Sequence, residues 1–182
     1  LVTTMLAYFI KYQIDMEPAT SIIMLAMLGI LALFLVPCSI VCKKIGKAKT
    51  YALGIAVACL ALIVGFFLPH EATFAIYPIA VVAGIGFSSQ WVCPHSMMPD
   101  VIEYDQLLTG QRREGVYYGV WNMVGKVTGA LGSAICGWGL KIFGYVEGVD
   151  QTALSRTGIR LMFALIPAVL LLICVPLLIK YP

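Results

Sequence analysis

Between Gly115 and Leu140 the sequence runs GVYYGVWNMVGKVTGALGSAICGWGL, and Lys126 is its only formal charge. An ammonium near the centre of a membrane helix costs roughly 2.5–3.5 kcal/mol on insertion scales, and such residues face a bundle interior or a water-filled cavity. Helical spacing sets Tyr118, Asn122, Gly129 and Ser133 on roughly the same face as Lys126. The competing reading is a lysine whose stem snorkels to the membrane interface. More than ten residues separate Lys126 from either end of the apolar segment, which favours a charge that faces the bundle interior or a cavity.

A second polar cluster is SSQWVCPHS, where Trp91 stands among Ser88, Ser89, Gln90, His95 and Ser96. Polar groups inside lipid need partners. Either the cluster is a helix end in an aromatic belt, or Trp91 lines a cavity and stacks on the ring face of a ligand. Pro94 and Pro99 are expected to bend or break the helix there, and discontinuous helices are a device of transporters.

Next comes MMPDVIEYDQLLTGQRRE, with Asp100, Glu103, Asp105, Glu114 and the pair Arg112–Arg113. It reads as a charged loop over 99–114, in which Asp100, Glu103 and Tyr104 share a face wherever it is helical. Solvation alone accounts for such a loop. The functional alternative is an ionic latch of Asp100, Glu103 and Arg112 that closes the cytoplasmic side. Gly125, Gly129, Ser133 and Gly137 form a ridge of small residues that lets another helix approach closely.

Other chemistry has little support. The six cysteines form no CxxC pair or metal-ligand spacing, so they read as small, buried, reduced thiols, and no metal or cofactor is expected. Gly84-x-Gly86 lacks the strand and third glycine of a dinucleotide site. With no P-loop, HExxH or nucleophile–base constellation, the chain does not read as an enzyme. Its basic loop is too short for nucleic-acid binding.

The elements that must position these residues follow from composition. The chain has 182 residues, 61% hydrophobic and 12% charged, with a mean hydropathy of +0.95. Soluble domains carry about 25% charged residues. Apolar runs of bilayer length predict an all-α membrane protein with helices over about 1–13, 20–42, 50–69, 73–98, 115–140 and 158–179, one partial and five complete spans. A β-barrel is excluded, because its strands alternate over about ten residues. The sequence opens at Leu1 with neither Met nor a basic stretch, and LVTTMLAYFI is too short to span before Lys11, so the chain reads as a fragment beginning inside a helix.

Alternating spans put Lys43, Lys44, Lys47, Lys49, Arg112, Arg113 and Lys180 on one side, and Lys11, Lys141, Arg156 and Arg160 on the other. The more basic side is expected to be cytoplasmic, with the C-terminus.

The run PDVIEYDQLLTGQRREGVYYGVWNMVGKVTGA resembles the helix 10–loop–helix 11 region of the glycoside–pentoside–hexuronide:cation symporters, the melibiose-permease-like branch of the major facilitator superfamily. YFIKY (Tyr8–Tyr12) is similar to the end of that family's seventh helix, and KKIGKAKTYALG to its loop 8–9, although Lys43 stands where the superfamily motif favours an acid. The resemblance covers essentially the whole chain, as the C-terminal six-helix bundle of a twelve-helix transporter whose N-terminal bundle is absent. It implies cation-coupled symport (Na⁺ or H⁺) of a sugar or glycoside by alternating access, in the bacterial cytoplasmic membrane. Lys126 matches a lysine near the family's cation and sugar sites, and Trp91 a tryptophan facing the sugar cavity. Trp121 and Asn122 stand where the melibiose branch has a Gln-Thr pair, so melibiose itself is not implied. Asp100, Glu103 and Arg112 match charged residues that pair on the cytoplasmic side. The acidic residues of the cation site belong to the absent half. A carrier of lipid or another non-sugar solute, or a non-transporting membrane interaction protein, are the other readings.

Overall fold

The structure, a computed structural model, describes residues 2–13, 20–67, 75–146 and 151–179. All regular structure among them is helical. The expected polar connector at Asp15, Glu17 and Pro18, the stop at Pro69–Glu71, and Lys180 lie outside the described residues.

Helix α1 spans Val2–Gln13, α2 spans Thr20–Ile45 and α3 spans Lys47–Phe66. Only Gly46 separates α2 from α3, at φ 100°, a backbone region that glycine enters without steric cost. Its N–H donates to the Cys42 carbonyl at 3.1 Å, and its own carbonyl accepts from the Thr50 N–H at 3.1 Å. Lys43 and Lys44 close the last turn of α2, where cations complement the helix dipole.

Helix α4 runs without a break over Ile76–Thr109, through both Pro94 and Pro99. The expected interruption there, and the charged loop from 99, are replaced by helix. Each proline removes one donor, to the Gln90 and His95 carbonyls respectively, and the remaining ladder carries the helix on to Thr109. It ends at Gly110, left-handed at φ 69°, whose N–H donates to the Gln106 carbonyl.

Helix α5 covers Glu114–Ile142. Thr152 caps α6 (Ala153–Arg160), its hydroxyl accepting from the Ser155 N–H. A π-helical turn, Leu161–Leu165, leads directly into α7, Ile166–Ile179. Pro167 lacks the N–H that the Phe163 carbonyl would meet in a regular helix, and a π turn absorbs such a mismatch. The last span thus begins at Ala153, ahead of the expected start at 158.

The core lies where α4 packs on α2 and α3. Helix α4 approaches α3 so closely at Gly86 that an added Cβ would sit 2.6 Å from the Ala58 backbone nitrogen. At Gly84 it would meet the Ile30 side chain at 3.0 Å and the Met27 carbonyl at 3.1 Å. On the other side Phe9 of α1 stacks on Phe163 at 4.4 Å, within a cluster that includes Met5, Ile10, Ile55, Leu62 and Ile159. Tyr145 donates to the Tyr12 hydroxyl at 2.9 Å, which ties the end of α5 to α1.

Among the described residues four stretches are long and apolar enough to cross a membrane: Ser21–Ile45, Lys47–Phe66, Ile76–Thr109 and Ala153–Leu178. The span expected over 115–140, α5, has the length, 29 residues, or about 43 Å at 1.5 Å per residue. Its glycines, Asn122 and Lys126 dilute the apolar character. Its packing is also local. Only Cys136, Gly139 and Leu140 of α5 are buried, and from Glu114 to Leu131 every residue is exposed except the half-buried Tyr117.

Candidate functional site

One turn of helix sets Trp91 and His95 on the same face of α4. Their rings stack with centroids 6.1 Å apart and planes 8° from parallel. His95 Nδ1 lies 2.8 Å from the Trp91 carbonyl oxygen, which fixes the ring over the preceding turn. The imidazole also meets Trp121 of α5, edge to face at 6.0 Å and 74°. An imidazole therefore joins the two tryptophans across α4 and α5. Trp91 is 61% exposed and Trp121 40%, so the indoles keep open surface of the kind that stacks on a ring or sugar face.

Along α5 the polar side chains turn back onto their own helix. Asn122 Nδ2 donates to the Tyr118 carbonyl at 2.9 Å, Thr128 to Val124 at 2.8 Å, and Ser133 to Gly129 at 3.1 Å. Lys126 is exposed and makes no hydrogen bond or ion pair among the described residues. Nothing stands within 4 Å of an added Cβ at Gly125, Gly129 or Gly137. The small-residue ridge thus has no packing partner among the described residues. Close helix approach falls instead at Gly84 and Gly86, which the motif reading gave no weight.

The structure brings Trp91 and Trp121 together through His95, whereas Asn122 and Lys126 point about 100° and 140° round α5 from Trp121. In the sequence His95 is a polar neighbour of Trp91. The i, i+4 relation of Trp91 and His95 was its available signal, whereas the contact with Trp121 is interhelical and leaves no trace in spacing.

At the other charged region, Lys47 Nζ reaches both Asp100 carboxylate oxygens, at 2.7 and 2.6 Å, and the Ser96 carbonyl at 2.7 Å. This bond joins the start of α3 to the late part of α4, so the basic α2–α3 turn and the α4–α5 loop share one end of the bundle. Arg112 Nε donates to Glu114 at 2.8 Å rather than to Glu103, and Arg113 lies 3.6 Å from Asp105. Glu103, Gln106, Arg112, Glu114 and Tyr118 line a polar cavity of about 200 Å³. Glu103 and Arg112 thus face one space without pairing, while Asp100 is held by Lys47.

Cys38, Cys42 and Cys93 also converge, with their sulfurs all within 4.8 Å of one another. No metal-ligand set was visible in the sequence, because Cys93 lies on a different helix from the other two.

The described helices form an all-α bundle with four stretches of membrane-spanning length and one largely exposed helix, α5. A family model described as MFS/sugar transport protein matches residues 1–182, and the chain belongs to that family. It is similar to the uncharacterized symporter YjmB of Bacillus subtilis, 28% identical over 169 residues, covering 93% of this chain and 37% of the relative. A glucuronide carrier protein homolog of Escherichia coli is 27% identical over 76% of this chain and 30% of its own length. The isoprimeverose transporter of Lactiplantibacillus pentosus is 27% identical over 89% of this chain and 34% of the relative. The chain thus spans about a third of the length of these curated relatives.

Proposed function

We propose that the chain forms the C-terminal bundle of a symporter that carries a sugar or glycoside together with Na⁺ or H⁺ by alternating access. The observation that carries this reading is the exposed surface of α5, which bears Lys126 and sets Trp121 against the Trp91–His95 pair. A second, N-terminal bundle covers that face in the assembled transporter. It supplies carboxylates that bind the coupling cation and interact with Lys126, whose charge balance shifts as the cation binds. The indoles stack on the sugar ring and the polar side chains of α5 meet its hydroxyls.

The basic end carrying Lys43, Lys44, Lys47, Arg112 and Arg113 faces the cytoplasm of a bacterial cell, as does the C-terminus. The carbohydrate-carrier names of two relatives and their bacterial sources support this reading. Radiolabelled uptake by the transporter containing this chain, across a panel of sugars and glycosides with and without Na⁺, tests it. Cation-dependent accumulation of at least one sugar is expected; accumulation of none, under either a Na⁺ or a proton gradient, overturns it.

A further inference from the structure

We infer that Cys38, Cys42 and Cys93 form a binding site for a soft monovalent metal ion, Cu(I), between α2 and α4. Cys38 and Cys42 are one turn apart on α2, so both thiols leave the same face. Cys93 of α4 is fully buried against them, and its sulfur lies 3.2 Å from that of Cys42. All three sulfurs lie within 4.8 Å of one another. At a metal–thiolate distance of about 2.3 Å, two sulfurs on one ion stand about 3.8–4.6 Å apart, from tetrahedral to linear coordination. Small rotations of the Cys42 and Cys93 side chains bring the set into that range.

The donor set selects the ion. It contains sulfur alone, which favours Cu(I) over the hard cations Na⁺, Mg²⁺ and Ca²⁺. Three sulfurs fall short of the four ligands of a closed structural zinc site. Binding releases the protons of the ligating thiols, leaving a site of net negative charge. Basic residues gather at that end: Lys43 and Lys44 follow Cys42 directly, and Lys47 holds the Ser96 carbonyl, one turn beyond Cys93. An entry path exists as well. Cys38 is only partly buried and lines a groove of about 260 Å³ together with Thr50, Ser88 and Ser89. Cys93 stands two residues from both Trp91 and His95, on the opposite side of α4, so the ion sits behind the aromatic cluster and outside it.

The test is an anaerobic Cu(I) titration of the purified transporter against a chromophoric Cu(I) chelator, compared with the same protein carrying Cys38→Ala, Cys42→Ala and Cys93→Ala together. One more equivalent bound per chain than in the triple variant is expected, with each single substitution weakening binding by tenfold or more. X-ray absorption of the loaded protein with all three cysteines intact should show a shell of sulfur alone, and this readout does not depend on any variant folding. Equal copper uptake by protein and triple variant, a nitrogen or oxygen shell, or a Cys42–Cys93 disulfide that leaves Cys38 as the one thiol of the three would each overturn the inference.

Discussion

Removing the charge of Lys126 while keeping its length is the sharpest single-residue probe of the proposed coupling. Lys126→Gln should lower cation-driven accumulation by about tenfold or more, since each 1.4 kcal/mol of lost interaction is a factor of ten. Measured uptake at unchanged protein level checks this, and normal coupled accumulation would sink the role given to Lys126. His95 makes a different prediction, because its ring touches both tryptophans. Aromatic pairs contribute about 0.5–1.5 kcal/mol beyond their buried area. His95→Ala should therefore weaken sugar affinity roughly two- to tenfold and change the tryptophan emission, while His95→Phe should retain most of both. Binding measured by fluorescence titration distinguishes the two variants. Lys126 and Trp91 were legible in the sequence because each is out of keeping with an apolar run. The role of His95 is not legible there, because an imidazole beside serines and prolines looks like any polar helix end until α5 is placed against it.

Helix α4 carries contrasting glycines to α5, and the contrast can be measured. At Gly86 a methyl group would press on the Ala58 backbone, so Gly86→Ala should cost about 1–3 kcal/mol, as overpacking does, and lower the melting temperature in detergent. At Gly125 no atom stands within 4 Å, and alanine in an open helix position is favoured by about 0.5–1 kcal/mol over glycine. Gly125→Ala should leave this bundle's stability intact or raised. Loss of uptake in that variant would then report a second bundle seated on the ridge. A fourth prediction concerns Lys47 and Asp100, whose side chains are about a third to nearly half exposed. Partly exposed ion pairs contribute about 0–1 kcal/mol, so Lys47→Ala and Asp100→Ala should each shift the melting temperature little. The double variant should be no worse than the more affected single one. A double-mutant cycle on thermal unfolding checks this. Helix existence was legible from apolar runs, but the extent of α4 was not. Prolines and a cluster of charges are strong local stop signals, and the packing of α4 between α2 and α3, with Lys47 bonded to its late turns, overrides them.

At the scale of the whole molecule the bundle is unequal. Helices α2, α3 and α4 form a tight group, α1 and the last span close one side, and α5 stands out from both. Hydropathy could reveal the membrane class and the order of the helices, because both depend on runs of residue types. It could not reveal this inequality, since the seven glycines of α5 fit a helix packed tightly within its own bundle as well as one left open. Helix α5 is held at both ends. At one, Met162 crosses Gly139, and Cys136 and Leu140 are buried. At the other, residues 110–113 tie Glu114 to α4, and Arg113 lies 3.6 Å from Asp105. Between them Trp121 meets His95. Mechanically that is a beam on two supports. Lys126 sits ten residues from Cys136 and twelve from Glu114, about 15 and 18 Å along the beam at 1.5 Å per residue. Such a beam bends most near its middle, so a load from a facing bundle displaces the ammonium further than either end.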